Sequence, residues 1–255
     1  FLDEVFLSDK EKIKFVQEAI GYGFHKGLPI PAISFLIGDG SNGKSVFIDM
    51  ITALYGEHNT STISLNSLSK ENYLMDLFGK MINVSSETPR KLTMGTDIIK
   101  AVVAGDWVSA RGLYKDPTKF KPFAKHYLAM NEPPSIDDPS YGMWRRVYLI
   151  EFLRTFTPAD WDIHLREKLH KELPGIFNWA LEGYKRLKTN AFTFPESEQM
   201  RRAKNRLMVD SNSVLLFSSN HLEKTEPEDR IKFSNVYNAY KNFCLDDGYK
   251  ETLNK

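Results

Sequence analysis

Gly38, Gly43, Lys44 and Ser45 stand at the spacing G-x-x-x-x-G-K-S. Asp39, Gly40, Ser41 and Asn42 fill the interval, and Val46 follows. A stretch of this kind is suited to holding a chain of phosphates. Glycines let the backbone approach an anion without Cβ clashes. Consecutive N–H groups and the start of a helix offer donors and partial positive charge. Lys44 is the side chain expected to reach the β- and γ-phosphates, and the Ser45 hydroxyl the one expected to ligate Mg²⁺. Residues 38–46 are therefore expected to bind ATP or GTP.

Other residue types extend the chemistry. Glu87 follows an apolar run, where a carboxylate polarises an attacking water and stands near the metal. Asn131 ends a later strand, and a neutral polar tip there orients water against the γ-phosphate. Arg145 and Arg146 suit the charge of a transferring phosphoryl group, in cis or from a neighbouring subunit. Residues 111–125 interleave Arg111, Lys115, Lys119, Lys121 and Lys125 with Tyr114, Phe120 and Phe123. Basic groups contact nucleic-acid phosphates and aromatic faces stack on bases. Arg201, Arg202, Lys204 and Arg206 read as a solvated helix face.

Positioning these groups requires alternating strands and helices. Ile33–Ile37 reads as a buried parallel strand, and Ser45–Leu54 as a helix that Gly56 stops. Ser61–Leu65, Lys80–Ser86, Trp107–Tyr114, Lys125–Met130 and Val147–Leu153 read as further strands, the third and fourth of these flanking a turn at Asp116-Pro117-Thr118. Met94–Ala104 reads as a helix. The alternation predicts an α/β fold with a parallel sheet covered on both faces. Residues 1–30 are expected to form a helical collar or lid, with Ser8 and Glu11 as a capping box. After Pro158 the pattern turns helical, over 161–171, 174–188, 196–209 and 211–222. The segment 223–230 reads as a linker, and 231–245 as the start of a small module with Ser234 as N-cap.

Composition sets limits. The 255 residues include 34 Lys and Arg against 33 Asp and Glu, so nucleic-acid contact must come from local clusters rather than global charge. A single cysteine, Cys244, excludes an internal disulfide framework and suits a reducing cytosol. No apolar run approaches the length of about 18 residues that a membrane span needs. The expected location is cytoplasmic, in a bacterial host or phage-encoded. The chain begins at Phe1 rather than Met, and is expected to be part of something longer.

Together these residues resemble superfamily 3 helicases, most closely the helicase part of phage and plasmid primase-helicases and their poxvirus-type relatives. The resemblance covers roughly residues 1–155. Gly38–Ser45 is similar to the family's Walker A, and Ile82–Glu87 to its Walker B. Lys100, Gly105, Asp106 and Arg111 match the motif before the DNA-binding hairpin. His126–Pro133 resembles the sensor motif with Asn131 at its tip, and Met143–Phe152 the arginine-finger strand, with Arg146 favoured over Arg145. Ser86 stands where other members carry an acid, and Ala104 where a second glycine is frequent.

The resemblance implies an AAA+-type P-loop core over 31–155, flanked by the 1–30 collar, a helical region over 156–222 and a partial winged-helix-like module over 223–255. It implies a homohexameric ring with ATP and Mg²⁺ between subunits, Ser45 and Glu87 being the metal-side residues, and single-stranded DNA in the pore. The contact residues would be Tyr114, Lys115, Lys119 and Lys121. A primase domain of the same chain would lie before Phe1. The expected function is an ATP-dependent replicative DNA helicase module. The alternatives are an ATP-binding DNA initiator or assembly factor that does not unwind, and a P-loop small-molecule kinase.

Overall fold

In the computed structural model, residues 1–86, 96–112, 116–134, 136, 140–223, 225–226 and 229–246 are described. They form two compact units, Phe1–Lys204 and Asn205–Lys255. Glu87, Tyr114 and Lys115 lie outside the described residues. Among the described residues no helix is long and apolar enough to cross a membrane.

The chain order is α1 Leu2–Val5, α2 Lys10–Tyr22, β1 Ile33–Ile37, α3 Lys44–Tyr55, β2 Thr60–Ser61, α4 Glu71–Leu74, β3 Ile82–Ser85, α5 Thr96–Ala104, β4 Val108–Ala110, β5 Thr118–Phe120, β6 Lys125–Met130, α6 Tyr141–Trp144, β7 Val147–Glu151, α7 Leu165–Lys171, α8 Leu173–Thr189, α9 Glu198–Asp210, α10 Ser213–His221 and α11 Phe233–Asp246. Five strands make one sheet in the order β2-β3-β6-β1-β7, and every pairing in it is parallel. The mixed α/β class with a parallel sheet follows the expectation. The sequence of β6, Lys-His-Tyr-Leu-Ala-Met, is buried throughout because strands flank it on both sides.

Three local expectations change. Asp9, not Ser8, caps α2, accepting from the Lys12 N–H at 3.0 Å. Ser8 is left-handed at φ +61, whereas an N-cap needs extended backbone. The helix α11 begins at Phe233, so Ser234 lies inside it. The strand before the Asp116-Pro117 turn pairs not with Lys125–Met130 but with Thr118–Phe120, antiparallel, with Val108 opposite Phe120. That partner is three residues long and shows two exposed side chains, so it carries little apolar signal.

Helix α2 lies along α8 at close range. A Cβ on Gly21 would stand 2.2 Å from the Ala180 carbonyl oxygen, and one on Gly183 2.5 Å from that of Gln17. Only glycine at both positions permits this approach. Arg186 then bridges back to α2, its Nε donating to Glu18 at 2.6 Å and its Nη2 to Gln17 at 2.7 Å. Phe15, Tyr22, Phe47, Ile51, Phe152 and Phe194 belong to the same apolar core. In the second unit, Phe217, Tyr240 and Cys244 form a separate small cluster between α10 and α11.

Two buried lysines fasten the N-terminal helices to the sheet. Lys12 donates from Nζ to Gln199 Oε1 at 2.7 Å and to the Glu151 carbonyl at 3.4 Å. Lys125, 3 % exposed, opens β6 and donates to the carbonyls of His25 and Phe123, its ammonium 4.9 Å from the centre of the Tyr22 ring. Burial pulls the Lys125 ammonium down from 10.5 to about 7. Between those values the unfolded chain holds a proton here that the folded chain has released. Stability from this group therefore rises with pH across that window, by at most about 1.4 kcal/mol per pH unit. Lys125→Met is expected to remove this rise. Urea unfolding of both proteins at several pH values between 7 and 10 reads it directly; parallel curves would contradict the assignment.

Candidate nucleotide site

The glycine-rich loop leaves the carboxyl end of β1, and α3 begins at its far side. β1 is the strand at which the sheet reverses direction of growth, with β6 on one flank and β7 on the other. Ligands of open parallel sheets bind in the crevice at that position. The backbone between is unusual. Gly38 has φ +154, Ser41 φ +57 and Gly43 φ +90. A Cβ at Gly38 would meet Asn42 Nδ2 at 2.4 Å and the Phe152 oxygen at 2.6 Å, so this position needs glycine. A Cβ at Gly40 would meet nothing within 4 Å. The loop therefore has one tightly packed end and one open turn.

Lys44 is buried at the helix start and points back over the loop. Its ammonium donates to the Gly38 carbonyl, to the Asp39 carbonyl at 2.9 Å and to Asn42 Oδ1 at 3.1 Å. Burial lowers its pKa from the ordinary lysine value, and the Asp39 charge opposes that effect. The arrangement puts a desolvated cation beside a helix N-terminus and an open glycine turn. These features fit a phosphate chain. Ser45 is exposed on the first turn of α3, where its hydroxyl is accessible to a cation on such a phosphate. Among the described residues no cluster of three or more His, Cys, Asp or Glu forms a metal site without the nucleotide.

Two strands bring further residues to the same edge. Ile37 pairs with Met130 and with Glu151, so Asn131 and Phe152 follow directly on either side of Gly38. The Gly38 N–H donates to the Met130 carbonyl at 3.3 Å. Asn131 is exposed beside the loop. The segment after β7 clasps the loop: Asn42 Nδ2 donates to the Phe152 carbonyl at 3.4 Å, and the Phe156 N–H donates to the Ser41 carbonyl at 2.7 Å. From the N-terminal side, Val5 and Phe1 lie against Gly43. Phe1, Val5, Phe152 and Phe156 carried no local signal in the sequence. The last two stand about a hundred residues from the loop and reach it only through the register of β7.

Arg145 and Arg146 occupy the opposite edge. The Ile33 N–H donates to the Arg146 carbonyl at 2.8 Å, which puts this pair at the amino ends of β1 and β7. Four strand steps, about 13 Å, separate that edge from the loop. Arg146 donates from Nη1 to the Gly142 carbonyl, and its Nε is buried without a hydrogen-bond partner. Burial and the neighbouring Arg145 charge lower its pKa, against the pull of Asp106. Arg145 is exposed.

The β4–β5 hairpin belongs to this same amino edge. Its base is fixed where Gly105, at φ +72, faces Leu28 and the Pro122 carbonyl, both ahead of strands β1 and β6. Lys119 and Lys121 are exposed on it, and Lys121 Nζ lies 5.5 Å above the ring of Trp107, itself 67 % exposed. The structure thus gathers residues 38–46 with Asn131 at one edge, and Lys119 and Lys121 with Arg145 and Arg146 at the other.

Sheet order, loop and helix define a parallel α/β protein with a glycine-rich loop at its reversal point. The chain's relatives narrow the class. The model of a family of unknown function, DUF5906, matches residues 36–146. The protein described as "putative helicase L207/L206" of Acanthamoeba polyphaga mimivirus is 33 % identical over 153 residues, covering 57 % of this chain and 16 % of that protein. The "putative primase C962R" of African swine fever virus is 25 % identical over 130 residues, covering 48 % of this chain and 14 % of the relative. Among solved structures, an apo form of the NrS-1 C-terminal region superposes with a TM-score of 0.64 over 95 % of this chain and 60 % of that one, at 16 % identity. A second apo form gives 0.59 at 14 % identity. The chain is thus related in sequence to viral proteins named helicase and primase, and has the fold of the NrS-1 C-terminal region. It spans about a sixth of the length of those viral relatives.

Proposed function

We propose that this chain is the motor of an ATP-dependent DNA helicase that works as a ring of identical subunits, six by the family resemblance, on single-stranded DNA. The observation that carries the reading is the division of the site between two edges of one sheet. Residues 38–46 and Asn131 stand at the carboxyl edge, while Arg145 and Arg146 stand across the sheet. A catalytic arginine from this pair can serve a glycine-rich loop only in a neighbouring copy. The names of the viral relatives support the same reading.

In this account the chain is an AAA+-type P-loop core. The loop N–H groups and Lys44 hold the β- and γ-phosphates. Ser45 and Glu87 are the residues that would hold Mg²⁺, which when bound neutralises phosphate charge. Glu87 accepts the proton of the attacking water and Asn131 orients that water. The neighbour's arginine stabilises charge on the transferring group. The hairpin carrying Tyr114, Lys115, Lys119 and Lys121 holds the strand by phosphate contacts and stacking. It shares an edge with the arginines, so hydrolysis at the subunit boundary is coupled to the DNA contact. Hydrolysis measured with and without single-stranded DNA tests the reading.

A further inference from the structure

Between β7 and α7 the chain makes a loop, residues 152–164, whose outer part the phosphate chemistry does not use. It is tied down at both ends. Near its start the Phe156 N–H donates to the Ser41 carbonyl at 2.7 Å. Beyond its end, Arg166 and His170 of α7 meet the Asp49 carboxylate of α3 at 3.9 and 2.9 Å. Inside it, the Thr157 N–H and hydroxyl donate to Asp160 Oδ2 at 2.9 and 2.8 Å. The His164 N–H and Lys168 Nζ donate to the two oxygens of Asp162 at 3.0 and 2.6 Å. The acids at 160 and 162 are thus taken up by the loop and its neighbours, while Trp161 and Ile163 stand 62 % and 86 % exposed. A single exposed apolar residue is ordinary. Two large ones, two positions apart on a segment that its hydrogen bonds hold in an outward pose, mark a contact surface.

We propose that this loop seats a second copy of the chain, with Trp161 and Ile163 packing on the face of the neighbour that carries Tyr141 and Arg145. The inference rests on the subunit-ring reading above and deepens it by naming the surfaces that meet. Two observations favour a second copy over another partner. The loop is bonded to the glycine-rich loop, and in that reading the neighbour must cover this side to bring its arginine in. Tyr141 and Arg145 are four residues apart, and the Arg145 N–H donates to the Tyr141 carbonyl at 3.1 Å, so their side chains share one face of a single helical turn. Tyr141 is 80 % exposed. A copy that presents Arg145 at the boundary therefore brings an uncovered aromatic ring beside it. The two surfaces are different parts of the chain, so the contact is heterologous and repeats from copy to copy.

The test follows self-association of the whole chain by sedimentation, with ATP, Mg²⁺ and single-stranded DNA. Replacing Trp161 and Ile163 together by serine removes only exposed apolar surface, so thermal unfolding and ATP binding are expected to stay as in the unaltered chain. Self-association is expected to weaken by at least about a hundredfold in Kd, and hydrolysis to fall with it and return at high protein concentration. A second measurement pairs the surfaces directly. Cys244, the one native thiol, is buried. A chain with Trp161→Cys mixed with a chain with Tyr141→Cys is expected to give a linked dimer with a short bismaleimide, and each alone to give none. If the unaltered chain associates and the double serine variant associates equally well, the proposal is overturned while the ring reading stands. Linkage of Trp161→Cys to itself, or none in the mixture, overturns the pairing of the two surfaces. An unaltered chain that stays monomeric overturns the ring reading first, and this contact falls with it.

Discussion

Lys44→Ala is expected to reduce ATP hydrolysis to background, a loss of at least about a thousandfold, in the range seen when a group acting on phosphoryl charge is removed. The size follows from the position of the amine. It is buried, it sits at the start of α3, and no other lysine or arginine among the described residues donates to the loop carbonyls of Gly38 and Asp39. Replacing it takes away the desolvated cation nearest the phosphates. Alanine is the best helix former, so α3 keeps its first turn. Thermal unfolding of the variant is expected to stay close to that of the unaltered chain, which separates lost chemistry from lost fold. Hydrolysis within about tenfold of the unaltered rate would remove the loop from the mechanism.

Replacing Arg145 and Arg146 together by alanine is expected to be as severe, because a catalytic arginine in phosphoryl transfer contributes about 10³–10⁵ in rate. The separation across β1 adds a distinctive expectation. A subunit with Lys44→Ala has a dead loop and intact arginines. A subunit with the arginine pair removed has an intact loop. Mixing the two inactive proteins is expected to restore hydrolysis, since each boundary with the right neighbours holds one complete site. Steady-state hydrolysis across mixing ratios measures this, with a maximum at intermediate ratio. A mixture as inactive as its parts would mean that the arginines do not act between subunits. Arg146 is bonded to the Gly142 carbonyl and Arg145 is exposed, so the single variants are expected to differ in stability, with Arg146→Ala the more costly.

Much of this arrangement was legible in the residues. The loop was readable because its chemistry is local: the seven consecutive positions Gly38–Lys44 hold both the glycines and the lysine. Strands β1, β6 and β7 were readable because both faces of each are buried, which leaves near-continuous apolar runs. Their order was not. Nothing in the run Lys125–Met130 says that it inserts between β1 and β3, and it is that insertion which sets Asn131 next to Gly38. The hairpin was assigned the wrong second strand because Thr118–Phe120 is short and half solvated. The clasp of Phe152 and Phe156 on the loop is a tertiary contact with no local spacing. The near approach of α2 to α8 was hidden for another reason. Gly21 and Gly183 carry no side chain to mark a packed face, while in the fold a Cβ on either would stand 2.2 and 2.5 Å from a carbonyl oxygen of the other helix.

The spacing of Arg145 and Arg146 left open action in cis or from a neighbouring subunit, because spacing alone does not say at which edge of the sheet each residue stands. The arginine pair and the loop both lie on β1 or its neighbours, so they are close in topology, yet the parallel strands carry them to opposite ends. The proposed ring would turn that separation into a set of shared boundaries. The proposed ring would also place the hairpin at the arginine side of each boundary, beside the neighbour's nucleotide.

The measurement that reaches the central claim most directly is the rate of ATP hydrolysis by this chain with and without single-stranded DNA, with Lys44→Ala as the blank. The account predicts a rate that rises several-fold with DNA and disappears in the blank. A Lys44-dependent rate that single-stranded DNA leaves unchanged would contradict it, because a motor whose hairpin and arginines share one edge must hydrolyse faster when the strand is held.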